Sequence, residues 1–204
     1  MNDQFEIEQF ISRQFQSAAK LMNQMADESP TAIADVAQLM IDCLLNGGKI
    51  LVCGNGGSAA DAQHLAAELS GKYRRERRPL PAIALTTDTS VLTATANDFG
   101  FSQVFSRQVE ALTKPGDIVV GISTSGRSGN VIAAIQSANF LGAHTVALTG
   151  SDITGLGGLA SHVITAPSTD TPRIQEAHGV IIHILCDLVE QALSDEGRRT
   201  TNGE

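Results

Sequence analysis

Apolar side chains fall at Ile11, Phe15, Ala18, Met22 and Met25, a 4-3-4-3 spacing that puts a narrow stripe on one helix over residues 3–26. Residues 27–30 break that pattern. A second helix is expected over 31–46, with Ile33, Val36, Ala37, Met40 and Leu44 on one face and Gly47-Gly48 ending it. From Lys49 onward the period changes. Short β-rich runs at 49–53, 82–85, 117–122, 145–148 and 162–165 alternate with helical segments at 59–72, from 90 onward, at 128–141 and at 172–193. Strands that are apolar without interruption belong in a parallel sheet covered on both faces. The expectation is an α/β chain: a three-layer αβα sandwich with about five parallel strands and an N-terminal helical arm. Its boundaries are an arm over 1–30, the α/β domain over 31–194 and a polar tail over 195–204.

Composition narrows the function classes. With 204 residues, 42% of them hydrophobic and 18% charged, the chain has the balance of one globular domain rather than a disordered segment. No apolar run approaches the roughly 18 residues of a membrane span, and MNDQFEIEQF has no signal-peptide pattern. Cys43, Cys53 and Cys186 are an odd number without metal-like spacing, which points to buried free thiols in a reducing cytoplasm. The net charge of −8 argues against nucleic acid and anionic membranes as partners.

Ligands of such a sheet bind beyond the carboxyl ends of its strands. Two loops fall there. Gly54-Asn55-Gly56-Gly57-Ser58 lets the backbone approach an anion and leads into a helix whose N–H groups face it. Ser123-Thr124-Ser125-Gly126-Arg127-Ser128 offers four hydroxyls in six residues, where a helix cap needs one. Neither loop is a P-loop or a dinucleotide fingerprint, so a monophosphate fits better than a nucleotide. The plain alternative is that these residues only make turns and caps.

His64 and Glu68, four residues apart, share one helix face and can reach one ion or substrate. Gln175, His178 and His183 lie on the closing helix; Gln175 and His183 are about 12 Å apart along it. They meet at one ion only by leaning together, or by coming from different subunits. His178 reads as structural, and His144 and His162 as strand-edge residues. Asn97 and Asp98, after TATA and before Phe99-Gly100, suit either sugar hydroxyls or a helix C-terminal turn. The run from Lys72 to Arg78 holds five of the 14 basic residues and reads as a solvated loop.

Taken together, GNGGSAADAQH (54–64), NDFGF (97–101), GISTSGRS (121–128) and STDTPRIQEAH (168–178) resemble the phosphoheptose isomerases, sugar-isomerase (SIS) domain enzymes of bacterial heptose synthesis. The similarity covers nearly the whole chain. It implies a cytosolic homotetramer with active sites between subunits and the N-terminal helices in the bundle. It implies conversion of D-sedoheptulose 7-phosphate to D-glycero-D-manno-heptose 7-phosphate, the first step toward ADP- or GDP-heptose and the heptose of lipopolysaccharide or other glycans. The resemblance carries zinc, one per subunit, onto His64, Glu68, Gln175 and His183. It carries substrate contacts onto Asn55, Gly56, Gly57, Ser58, Glu68, Asn97, Asp98, Ser123, Thr124, Ser125, Ser128 and Gln175. Some members have Arg at the position of Lys72 and Asp at that of Pro172, so no catalytic role is carried onto either.

The chemistry expected is aldose–ketose isomerisation through a cis-enediol, with Glu68 as base and His183 as acid. A zinc-bound carboxylate is a weaker base, so the two roles compete at Glu68. The rival class is a non-catalytic SIS tetramer that binds the bacterial replication initiator protein and lacks the metal-site carboxylate. A second rival is a different SIS enzyme acting on an amino-sugar phosphate, against which His64/Glu68 and the PRIQE segment weigh.

Overall fold

A computed structural model describes residues 4–194, so the polar tail expected over 195–204 lies outside the described residues. Helix α1 (Gln4–Glu28) runs almost directly into α2 (Pro30–Leu45). The expected interruption shrinks to Ser29, because Pro30 falls in the first turn of α2, where its missing N–H leaves no bond unmade. The two helices use their apolar faces differently. On α2, Ile33, Val36, Ala37, Met40 and Leu44 are all buried, joined by Cys43. On α1 only Leu21 and Met25 are buried among the described residues; Phe15 is 75% exposed and, with Ile7, Phe10 and Ile11, leaves an uncovered apolar face on the single chain.

The sheet has five strands: β1 (Ile50–Gly54), β2 (Ala82–Ala84), β3 (Ile118–Ser123), β4 (His144–Thr149) and β5 (His162–Thr165). All pairs are parallel and the order is β2-β1-β3-β4-β5. Side chains alternate faces although the strands read as unbroken apolar runs. Ile50 and Val52 of β1, with Ile118 and Val120 of β3, pack against α1, α2, α3 (Gly57–Ser70) and α7 (Thr171–Leu193). Leu51, Cys53 and Val119 point the other way, toward α4 (Thr89–Phe99), α5 (Ser106–Leu112) and α6 (Gly129–Phe140).

The chain leaves β1 toward β2 on one side and returns to β3 on the other. The switch point therefore lies between β1 and β3, and the two candidate anion loops are the segments that follow these strands. The residue pattern predicts no element over 101–116. The structure places a 3₁₀ turn (Phe101–Gln103) and α5 there, held by buried Val104, Phe105 and Val109. All three thiols are buried and unpaired. Burial pushes Cys43 up to about 11, with nearby Asp117 adding to the shift, and pushes Cys53 and Cys186 up to about 12.

Candidate functional site

The two loops share a cavity of about 300 Å³ lined by Asn55, Gly56, Gly57, Ser58, Ser123, Thr124, Ser128, Thr171 and Gln175. Gly56 stands at φ +57°, a conformation that side chains disfavour, and is the N-cap of α3 with no side chain to satisfy the helix end. A Cβ at position 57 would collide with the Gln175 amide, so the absence of a side chain there lets α7 approach the loop. In the second loop, Ser123 Oγ and Ser128 Oγ are 2.9 Å apart, and Ser128, the N-cap of α6, makes no side-chain cap bond. The hydroxyls are thus not engaged in capping the helix. Thr124 opens both to this cavity and to a neighbouring hollow, which also takes Ser125. Ser125 Oγ accepts the Arg127 N–H at 3.2 Å.

One residue the sequence reading missed ties the loops together. Buried Asn130 donates to Asn55 Oδ1 at 2.9 Å and accepts from Asn55 Nδ2 at 2.8 Å. Thr171, at the start of α7, was also missed; its hydroxyl belongs to the third helix start that faces the cavity.

The same two helices carry the second group. His64 and Glu68 on α3 meet His183 from α7: His64 Nε2 lies 3.2 Å from Glu68 Oε1 and 3.2 Å from His183 Nε2. One Nε2 atom carries one proton or one lone pair, so a single proton cannot serve both neighbours. The three donor atoms all lie within 4.8 Å of one another. Donors about 2.0–2.1 Å from a tetrahedral zinc stand roughly 3.3 Å apart, which the two 3.2 Å spacings match, and the His₂Glu chemistry suits a divalent cation with an open position. Gln175 stands two turns before His183, with its amide against Gly57.

The remaining candidates fall elsewhere. His178 is wholly buried; its Nε2 lies 3.4 Å from the Thr149 carbonyl, and burial pushes its pKa down to about 4 against the pull of that bond. Burial thus favours its neutral form at pH 7, and it lies outside the cavity lining. His144 and His162 sit at the starts of β4 and β5, the opposite end of the sheet from the loops. Asn97 and Asp98 are exposed near the end of α4, bonded to each other at 2.8 Å and outside the cavity lining.

The segment after α3 is a loop with Lys72, Arg74 and Arg78 exposed as expected, but Arg77 departs from the solvated reading. The Arg77 side chain is 1% exposed, its Nε 3.2 Å from the fully buried Glu190 carboxylate, and it donates to the carbonyls of Glu68, Leu69 and Gly71. Glu190 in turn accepts the backbone N–H groups of Tyr73, Arg74 and Arg75 at 2.9, 2.6 and 2.7 Å. Burial pushes the Glu190 carboxyl up, but the three amides and the Arg77 guanidinium outweigh it and hold it below the usual range. Lys72 pairs with Glu76 at the surface, and Pro172 opens α7.

Comparison with known proteins follows the same lines. A family model described as SIS domain matches residues 14–150. A phosphoheptose isomerase of Geotalea daltonii is 56% identical over 188 residues, covering 92% of this chain and 98% of that one. The structure of a phosphoheptose isomerase from Neisseria gonorrhoeae superposes with a TM-score of 0.86 at 44% identity, covering 91% and 99% of the two chains. One from Francisella tularensis gives 0.87 at 42% identity, covering 90% and 97%.

Proposed function

This chain belongs to the phosphoheptose isomerases of the SIS-domain family, and on that premise we propose that it converts D-sedoheptulose 7-phosphate to D-glycero-D-manno-heptose 7-phosphate. The observation that carries the reading is the way α3 and α7 each join two chemistries. Each helix lines the anion cavity and further along supplies the His64–Glu68–His183 group: His64 stands seven residues after Gly57 and His183 eight after Gln175, roughly 10–12 Å along each axis. An extended seven-carbon sugar with a terminal phosphate is of that length. The phosphate sits among Ser123, Thr124, Ser125, Ser128, Ser58 and the glycine loop, its charge met by hydroxyls and helix starts. Asn55 and Gln175 contact the chain between; Asn97 and Asp98, exposed outside this cavity, would bind sugar hydroxyls in the site of a neighbouring subunit.

At the far end, Glu68 takes the proton from C1, and the electron pair closes a C1–C2 double bond while O2 takes a proton from His183. The cis-enediol then gives its O1 proton back to His183 and accepts at C2 the proton held on Glu68. Placed acid–base groups of this kind supply about 10²–10⁴-fold; holding the phosphate fixes the orientation. His64, Glu68 and His183 would hold a zinc ion, one per subunit, which supplies polarisation of the carbonyl oxygen when bound; Gln175, laid against Gly57 in this chain, would join such a site only from a neighbouring subunit.

The uncovered apolar face of α1 supports a role for residues 1–30 in assembly, as a homotetramer with active sites between subunits. Among the described residues no helix is long and apolar enough to cross a membrane. The reading places the enzyme in the cytoplasm, opening the route to ADP- or GDP-heptose. The test is NMR of the purified protein with sedoheptulose 7-phosphate, with and without chelator. An aldoheptose signal that the chelator suppresses, with solvent deuterium entering at C2, is expected. A metal-replete sample that forms no aldoheptose overturns the reading in favour of a non-catalytic SIS tetramer.

A further inference from the structure

His183 lies on an exposed stretch of α7, and among the described residues its Nε2 contact with His64 is its sole hydrogen-bond partner. Among the described residues no group accepts from its Nδ1. An imidazole that holds a metal or moves a proton ordinarily has its ring fixed through the other nitrogen. Here the fixing group is an aromatic face. The Tyr73 ring stacks on the His183 ring with centroids 5.5 Å apart and planes 23° apart, while His64 meets His183 nearly edge-on at 4.8 Å and 85°.

Tyr73 is itself held from below. Its backbone N–H bonds Glu190, one of three successive amides closed around that carboxylate, and Arg77 pins the loop to the end of α3 through the carbonyls of Glu68 and Leu69. Arg74 lies over the Tyr73 ring at 4.9 Å. The arrangement has a direction. Glu190 stands seven residues after His183 on the same helix, so α7 grips the loop at one point and receives the loop's tyrosine against its histidine at another.

We infer that Tyr73 is a positioning residue for His183. Its ring confines the imidazole to the attitude in which Nε2 faces His64 and Glu68, and the Glu190–Arg77 lock holds that ring in place. The inference rests on the role given above to His183. The property used is the flat face of the ring, not the phenol hydroxyl.

Three substitutions in the full chain test it: Tyr73→Phe, Tyr73→Leu and Tyr73→Met, the last keeping bulk without an aromatic face if leucine does not fold. Zinc affinity is read by competition with a chromophoric chelator, and kcat and KM with sedoheptulose 7-phosphate. Tyr73→Phe is expected to stay within about twofold of the parent. Leucine or methionine is expected to weaken zinc binding and lower kcat by about tenfold or more, with KM little changed. Folded leucine or methionine variants that keep both values, or a phenylalanine variant that loses as much as they do, overturn the inference. A measurement on the unaltered protein needs no variant: a cross-relaxation peak between Tyr73 and His183 ring protons is expected, and its absence is equally fatal. An unaltered protein that binds zinc and shows the peak but forms no aldoheptose sinks the isomerase reading and leaves Tyr73 in its place.

Discussion

Asn55 and Asn130 exchange two hydrogen bonds, 2.8 and 2.9 Å long, between positions 75 residues apart. One belongs to the glycine loop and the other to the first turn of α6, so the pair fixes the distance between the two walls of the anion cavity. Asn130 Oδ1 also accepts the Val131 N–H, which leaves its amide no freedom to turn over. Asn130→Ala removes the exchange and strands the Asn55 amide. A loss of about 1–3 kcal/mol of stability is expected in denaturant titration, from two bonds of about 0.5–1.5 kcal/mol each. KM for the sugar phosphate should rise about tenfold, equivalent to about 1.4 kcal/mol, with kcat nearly unchanged. A variant with parental KM would show that the walls stand without the clasp.

Glu68→Gln keeps the size and hydrogen-bonding reach of the side chain and removes its basicity. Turnover should fall by about 10²–10⁴-fold, measured by aldoheptose formation. Substrate binding, followed by calorimetry, should hold to within a few-fold, because the phosphate cavity is built from other residues. Retention of full rate would move the base elsewhere.

Glu190→Gln leaves the Arg77 guanidinium buried without its counter-charge. Breaking such a pair costs about 3–5 kcal/mol, and the denaturation midpoint should drop accordingly. The same substitution weakens the acceptor for the Tyr73, Arg74 and Arg75 amides, so protease cleavage after 74 and 75 should accelerate. A midpoint within error of the parent would mean that the loop is not a stabilising element.

His178 gives a pH signature. Its pKa is about 4 in the folded chain because burial disfavours the charged ring, against 6.5 unfolded. Protonation therefore favours the unfolded state. The stability this residue allows is complete above pH 6.5 and is lost as pH falls from 6.5 toward 4, by about 3 kcal/mol at most. Comparing the parent with His178→Leu at pH 7 and pH 4.5 isolates the effect. The parent should lose more than the variant; equal losses would rule out the shift.

The alternation of strands and helices was legible because each element has its own period, and α2 buries the face that its spacing dictated. The anion cavity was legible for a related reason: glycines and hydroxyls after apolar strands mark the carboxyl edge of a parallel sheet. Asn130 and Tyr73 were not. Each acts through a partner 75 or 110 residues distant in sequence, and an asparagine after a glycine or a tyrosine in a basic run has no local pattern to betray it. Within the basic run Arg77 was not legible, because it and Glu190 compensate each other across the fold, and charge patterning along a chain sees only one of the two. Gln175 and His183 share a helix, yet the glutamine is laid against the glycine loop while the histidine joins His64. That division depends on how α3 packs on α7, and spacing within one helix does not encode it.

Cys43 and Cys186 lie on one side of the sheet and Cys53 on the other. Each sulfur is shielded from water and held as the unreactive thiol. Alkylating reagents consequently have nothing to attack until the surrounding layer parts. The three side chains thus serve as natural clocks: the pace at which each acquires a label reports how often its own half of the sandwich breathes open.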